Sequence, residues 1–358
     1  MNRSTCTISF FKNDLLGTRL KQGKCPVKNC STNVRDHKVP FMRYRGEMRY
    51  MPYCPEHGIR IHKEGFVYYN GPSEQDLAIS TRRNLMFNAD YYLDHFLTAS
   101  NKVESSRLCY ESSEDAVTFN VFTEMLSRNE SLRSLVGHID KTRIDQTVKL
   151  YLWGLEVDIS KSRFNLYEPL KEVRKQLEPD IKQFVTEPDI MLIVPGKILI
   201  CIEAKFGSKN PIAKDKPVKE GEKPKSMAAL IERYCNGNKL IDADSIFDFS
   251  NKKGFFYEQL FRNLVFAASM AKLAHIERWF VVNLRSQHVM NIRRGKSESL
   301  PVVRAVRSIL KPQYKKRFSH VTWEEIYGIC VKRNQDLYDL SWYMKNKTLN
   351  CRRAFSIS

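Results

Sequence analysis

TEPDIMLIVPGKILICIEAKF, residues 186–206, decides how this chain is read. Two apolar runs, IMLIV and ILICI, are separated by Pro195-Gly196-Lys197, with Asp189 just ahead of the first run and Glu203 and Lys205 just after the second. Short runs this apolar, bounded by turn residues, are strands buried on both faces. A charge at the end of such a strand is costly unless it is paired or holds a metal. Side chains alternate along a strand, so Glu203 and Lys205 share a face. A two-residue loop would pair Val194 with Lys197 and turn Asp189 to the opposite face. A three-residue loop pairs Val194 with Ile198 and sets Asp189 opposite Glu203. Three-residue hairpin loops containing glycine are common, and that register brings all three charges to one end of the sheet.

Two carboxylates placed so offer oxygen ligands to Mg²⁺, a hard ion that bridges to phosphate oxygens. Such an ion makes hydroxide available near neutral pH, and a neighbouring lysine orients water or neutralises developing charge. Phosphodiester hydrolysis needs these parts. The competing reading is a structural salt bridge between Lys205 and one of the acids.

EPDI (187–190) and EAK (203–205), with thirteen residues between Asp189 and Glu203, resemble the PD-(D/E)xK nuclease superfamily, the restriction-endonuclease-like fold. The resemblance covers about 105–285. It implies an α/β core, a mixed central sheet flanked by helices, in which Asp189 and Glu203 bind Mg²⁺ or Mn²⁺ and Lys205 is the catalytic lysine. It further implies an acid from the preceding helix. Glu114 in SSEDAVTFNVF is the first choice, with Glu111 and Asp115 behind it. Members often carry Gln or Arg on the helix after the motif, which YEQLFRN supplies as catalytic Gln259 and nucleic-acid-binding Arg262. An Arg on so apolar a helix is also commonly a snorkelling surface residue.

The charge balance agrees with a polyanion partner. The 358 residues carry a formal net charge of +19 and a pI near 9.5. Excess Lys and Arg raises the encounter rate with nucleic acid. No uninterrupted apolar run reaches the roughly 18 residues of a membrane span, and no basic amphipathic helix stands out, so no membrane partner is expected. MNRSTCTISFFKNDLLGTRLK has no signal-peptide core, and the expected location is cytoplasmic.

Nine cysteines without a secretion signal point to metal sites and buried thiols rather than disulfides. KCPVKNC and YCPEHG give Cys25 and Cys30, then Cys54 and His57, as C-x4-C, twenty-three residues, C-x2-H. Two short ligand pairs on proline-stiffened turns can close a tetrahedron around a structural Zn²⁺. Four buried unmetallated residues are the alternative, and His37 and His62 are substitutes for His57. Cys6, Cys109, Cys201, Cys235, Cys330 and Cys351 read as ordinary thiols. Between the pairs, FMRYRGEMRYMPY interleaves Arg43, Arg45 and Arg49 with Phe41, Tyr44 and Tyr50. The pattern suits phosphate and base contacts, or a small ribbon with its aromatics turned inward.

The expected organisation is a zinc-ribbon-like module at 1–70 and a helical linker at 71–104. A nuclease core follows at 105–290, with a Lys/Pro-rich insertion at 207–253, then a basic helical C-terminal region at 291–358. Ser112 or Ser113 caps a helix, VKLYLWG is a strand, and NLYEPLKEVRKQLE and YEQLFRNLVFAASMAKLA are helices. RWFVVNL is another strand, and Thr322 with Glu325 forms a capping box. The function expected is a metal-dependent endonuclease acting on double-stranded DNA, of the kind used in restriction or anti-phage defence, as a homodimer or with a partner protein of a defence system. The alternative is a zinc-containing nucleic-acid adaptor whose nuclease-like core is inactive or partner-activated.

Overall fold

The computed structural model describes residues 22–27, 29–44, 47–62, 65–99, 101–102, 107–161, 163–182, 185–211, 227–235, 240, 257–287, 299–332 and 334–357, with the backbone alone at 41–44, 227, 228, 235 and 299–301. Cys6, Arg45 and most of the stretch read as an insertion lie outside these residues, as do the side chains of Phe41, Arg43, Tyr44 and Cys235.

The amino-terminal part is a four-stranded antiparallel sheet in the order β1 (Lys38–Tyr44), β2 (Glu47–Cys54), β3 (Ile59–Ile61) and β4 (Phe66–Tyr68). Its small core gathers Cys25, Val27, Cys30, Val34, Cys54, Ile59, Phe66 and Tyr68. Helices α1 (Glu74–Arg82) and α2 (Ala89–Thr98) follow. Ser73 caps α1 in a reciprocal box with Asp76.

The body is a mixed α/β layer structure. Its helices are α3 (Glu114–Ser127), α4 (Asn129–Asp140), α5 (Glu168–Leu177), α6 (Met227–Cys235), α7 (Glu258–Leu273), α8 (Ser299–Ser308), α9 (Trp323–Ile326) and α10 (Tyr338–Asn346). Its strands are β5 (Lys149–Leu152), β6 (Leu155–Glu156), β7 (Ile190–Val194), β8 (Ile198–Lys205), β9 (Arg278–Arg285) and β10 (Phe318–Thr322), in sheet order β10-β9-β8-β7-β5-β6. Strands β8, β9 and β10 run parallel, while β7, β5 and β6 are antiparallel to their neighbours. Every residue of β7 and β8 is buried, as the apolar runs require. Ile198, Ile200, Ile202 and Ala204 face Val117, Val121 and Phe122 in one core. Leu199 and Cys201 join Leu260, Leu264 and Ala267 in the other.

The hairpin takes the three-residue loop. Val194 pairs with Ile198 and Ile190 with Ile202, and Gly196 holds φ +69°, a backbone conformation glycine adopts without strain. The Thr322–Glu325 capping box is formed as read. One boundary differs. The sheet takes its edge strand β10 from within the stretch expected to be a separate helical C-terminal region. Phe318 and Val321 supply apolar residues to opposite cores, so a sheet-edge position satisfies both faces of the segment.

Candidate active site and metal cluster

The exit of β8 and the entry of β7 lie at the same end of the sheet because the two strands are antiparallel. One step beyond the Ile190–Ile202 pair, Asp189 stands opposite Glu203, and its Oδ2 accepts the Ala204 N–H at 2.9 Å. Glu203 and Lys205 project on the α7 side of the sheet, where Lys205 Nζ donates to Glu203 Oε1 at 2.7 Å. Lys205 Nζ also lies 3.5 Å from Glu114 Oε1. Glu114 comes from the first turn of α3, on the other side of the sheet, and reaches round the strand end. Its Oε2 accepts the Phe206 N–H at 2.7 Å and the Ser208 hydroxyl at 3.0 Å. Ser113 starts α3 by accepting the Ala116 N–H at 3.2 Å, which fixes Glu114 at the helix terminus, where an acid is favoured.

The structure therefore brings together Asp189, Glu203, Lys205 and Glu114. Asp115 points elsewhere, to Lys102 Nζ at 2.7 Å, and Glu111 accepts the Cys351 N–H at 2.9 Å. On α7 the residue that meets the acids is Asn263, whose Nδ2 donates to Glu203 Oε2 at 2.9 Å. Among the described residues, Gln259 Oε1, one helical turn earlier, and Arg262 Nε are buried without a hydrogen-bond partner. Asn263→Ala is expected to cost about 1.5–3 kcal/mol, the usual worth of a hydrogen bond to a charged group. It should also lower any metal-dependent turnover by freeing the Glu203 carboxylate to rotate; thermal melts and cleavage rates check the two effects.

Lys102 was not singled out by sequence. Its ammonium lies 5.2 Å from the Trp153 ring centroid and 5.7 Å from that of Phe96. Burial pulls its pKa down, but the Asp115 and Asp189 carboxylates outweigh burial and hold it above its ordinary value. Lys205 is likewise held up, since Glu203, Glu114 and Asp189 outweigh its burial. Both lysines are therefore ammonium ions at neutral pH. Asp189 is pushed well above the carboxylate range, first by burial and then by the Glu203 charge beside it. Glu187, paired to Arg174 at 3.0 Å, is also raised by burial. Asp189, Glu203 and Glu114 surround a single ammonium, that of Lys205, and their carboxylate oxygens are hard donors of the kind Mg²⁺ and Mn²⁺ take. The residues fit such an ion.

A second cluster stands in the amino-terminal sheet, where one ligand atom each from Cys25, Cys30, Cys54 and His57 lies within 4.8 Å of all the others. Cys25 Sγ is 3.6 Å from His57 Nδ1, Cys54 Sγ is 3.4 Å from it, and Cys30 Sγ is 3.7 Å from Cys54 Sγ. Zn–S and Zn–N bonds of about 2.3 and 2.0 Å at tetrahedral angles give edges of roughly 3.8 Å for S–S and 3.5 Å for S–N. These three distances match the edges of a zinc tetrahedron, and the cluster could hold zinc. A hydrogen bond from Cys25 pulls Cys54 down to about 5, while Cys25 itself is pushed up by the same bond and by burial. His37 and His62 are not in the cluster; His62 packs on Tyr110 instead, with ring centroids 5.3 Å apart. Cys109, Cys201, Cys330 and Cys351 are buried and joined in no disulfide among the described residues. Arg49 is exposed on β2. Among the described residues no helix is long and apolar enough to cross a membrane.

A family model described as restriction endonuclease associating with ARP matches residues 57–347 of the 358. The match takes in the whole acidic cluster and begins at His57, after the three cysteines of the second cluster. No curated protein and no solved structure matches the chain.

Proposed function

The chain belongs to the family of restriction endonucleases associating with ARP, and from that premise we propose that it is a metal-dependent endonuclease that hydrolyses phosphodiester bonds of DNA. The observation that carries the proposal is the convergence of Asp189, Glu203, Glu114 and Lys205 at one sheet end with a net excess of negative charge. Asp189 and Glu203, with Glu114 alongside, would hold Mg²⁺ or Mn²⁺. When bound, that ion neutralises charge on the attacked phosphate and lowers the pKa of water near it.

The protein's own groups do the rest. Lys205 is held as an ammonium, so it donates to the attacking water or to the phosphoryl oxygen and is not itself the base. Asn263 keeps the Glu203 carboxylate from rotating, and the Ala204 N–H does the same for Asp189. Lys102 adds a second fixed positive charge on the Asp189 side. Gln259 has a side-chain oxygen with no partner one turn from Asn263, a position suited to a water or substrate donor. The net charge of +19 supports a polyanionic substrate, and Arg43, Arg45, Arg49 and Arg262 are the proposed nucleic-acid contacts. Zn²⁺ at Cys25, Cys30, Cys54 and His57 would be structural. Restriction or anti-phage defence in the cytoplasm, as a homodimer or with a partner protein, completes the reading.

The test is cleavage of duplex, nicked, single-stranded and RNA substrates by the parent and by Lys205→Ala, with Mg²⁺, with Mn²⁺ and with neither. Metal-dependent cleavage of DNA by the parent, reduced at least about a hundredfold in the variant as expected for loss of a transition-state donor, supports the reading. Equal cleavage by both proteins would refute it. Tight binding with no metal-stimulated turnover on any substrate would favour the adaptor.

A further inference from the structure

Residues 299–322 carry six Lys and Arg side chains and not one Asp or Glu, and neither the acidic cluster nor the Cys/His cluster uses them. They form α8, the 3-10 turn Pro312–Arg317 and the edge strand β10. Helix α8 turns Val302, Ala305, Val306 and Ile309 inward, the spacing of one apolar helical face. Arg304 and Arg307, three apart and so neighbours on the helix surface, are exposed, as are Lys315 and Lys316 on the turn. Among the described residues, Arg304, Lys311, Lys315 and Lys316 form no ion pair. The backbone beneath these charges is pinned. Arg307 donates to the Phe318 carbonyl from Nε at 3.1 Å and from Nη2 at 3.0 Å. Tyr314 stacks on Trp279 with ring centroids 6.2 Å apart, and Arg317 Nη1 donates to the Trp279 carbonyl at 3.4 Å. The cations therefore stand on a fixed edge of the sheet.

We propose that this edge is a track for the phosphate backbone of nucleic acid, leading to the acidic cluster. Thr322 is in register with Arg285, and Arg285 with Lys205, so β10 ends two strand spacings, about 10 Å, from that cluster. From there β10 extends away for five residues, roughly 16 Å, with α8 and the turn packed beside it. One strand of DNA places a phosphate about every 3.4 Å along the helix axis, so the edge spans about five of them. Charge of one sign, unrelieved by acids, attracts a polyanion. An anionic membrane is attracted by the same charge, but a helix lying on lipid inserts large apolar side chains. None of the large hydrophobic residues exposed among the described residues falls between Val302 and Arg317. The inference rests on the reading of the acidic cluster as a site that cleaves nucleic acid, and it names the surface that holds the substrate beside that site.

The experiment measures binding of the full chain, without added Mg²⁺, to a labelled DNA duplex of about three helical turns and to vesicles of phosphatidylcholine and phosphatidylserine. The edge variant carries Arg304→Gln, Lys315→Gln and Lys316→Gln. A control of equal net charge carries Lys161→Gln, Lys171→Gln and Lys175→Gln, three lysines paired with Asp158, Glu168 and Glu172 elsewhere on the surface. Melting temperatures verify that both variants fold. The edge variant is expected to lower the slope of log affinity against log salt by about two to three, and to bind duplex on the order of a hundredfold more weakly at 0.1 M salt. The control should change affinity by less than about threefold, because its charges lie beyond a Debye length from the edge. Unchanged duplex affinity in the edge variant, or equal losses in the two variants, would overturn the proposal. Loss of vesicle binding with duplex affinity intact would overturn it in favour of a membrane surface. Because binding is read without turnover, an edge-specific loss in a chain that never cuts would sustain the track and count against the nuclease reading. Metal-dependent cleavage by the parent, with the edge variant binding duplex as tightly, would keep the nuclease reading and refute the track.

Discussion

Asp189→Asn is expected to abolish metal-dependent cleavage and at the same time raise the melting temperature of the protein measured without added Mg²⁺. The two effects share a cause. Asp189 is buried beside Glu203, with Glu114 nearby, and its pKa is pushed well above the ordinary 3.8. A carboxyl whose folded pKa is raised binds its proton more tightly in the folded state. Stability therefore falls as pH rises from the ordinary carboxylate range through the raised value. At neutral pH the magnesium-free fold carries that repulsion, and the amide removes it. A gain of about 1–2 kcal/mol, or a few degrees, is the scale of a single relieved site. The stability of the parent should decline across the pH range above 4, and the decline should flatten in the variant. Lys205→Ala makes the contrasting case. It removes the ammonium bonded to Glu203 at 2.7 Å and leaves that buried carboxylate without its counter-ion, a loss on the order of 3–5 kcal/mol. Both variants should lose cleavage while their melting temperatures move in opposite directions. The melts are run without chelators, which would also strip zinc. If both substitutions shifted the melting temperature the same way, the acids would not be a frustrated ion site, and Lys205 with Glu203 would be an ordinary salt bridge.

That much of the cluster could be read from sequence follows from two local rules. A spacing of two puts Glu203 and Lys205 on one face of any strand, and of the two loop lengths that the sequence allowed, the three-residue Pro195-Gly196-Lys197 loop sets Asp189 opposite Glu203. Glu114 comes from the family resemblance, which implies an acid on the preceding helix, with Glu111 and Asp115 as alternatives; the serine cap then fixes it at the helix start. The Cys/His cluster was legible because two short ligand pairs close by turn geometry alone. The remaining parts depend on packing between segments far apart in the chain. Gln259 and Asn263 share a helical face, and only the axial position of α7 over β8 decides which of them meets Glu203. Lys102 reaches the acids from a segment with no periodic pattern, steered by the rings of Phe96 and Trp153. Strand β10 joins the sheet as a parallel edge, a pairing set by long-range docking that leaves little local signal.

Loss of zinc should separate the two parts of the molecule, and Cys54→Ser is the substitution that tests it. The amino-terminal core holds Cys25, Val27, Cys30, Val34, Cys54, Ile59, Ile61, Phe66, Val67 and Tyr68, with Cys109 and Cys351 closing it from later in the chain. A core this small is seldom sufficient without a metal or disulfide staple, and no disulfide joins its cysteines among the described residues. The metal would join the root of β2 to the turn at 25–30, while Arg83 clamps the far side by donating to the His57 and Gly58 carbonyls at 2.7 Å each. Structural zinc sites supply on the order of 10–16 kcal/mol of binding energy to the fold around them. The variant is therefore expected to lose its zinc, to show a separate melting transition at lower temperature, and to be cut by trypsin among the basic residues between Arg35 and Arg60. The central sheet, whose cores draw on other residues, should keep its own transition, and cleavage of short DNA should persist while affinity for long duplex falls. His57→Asn, a milder change at the same cluster, should give the same pattern in weaker form. Cobalt added to the zinc-free parent should give the thiolate charge-transfer absorption of a tetrahedral Cys₃His site. A zinc-free parent with one intact transition would mean that the four residues are a buried thiol cluster that the amino-terminal sheet does not need for its fold.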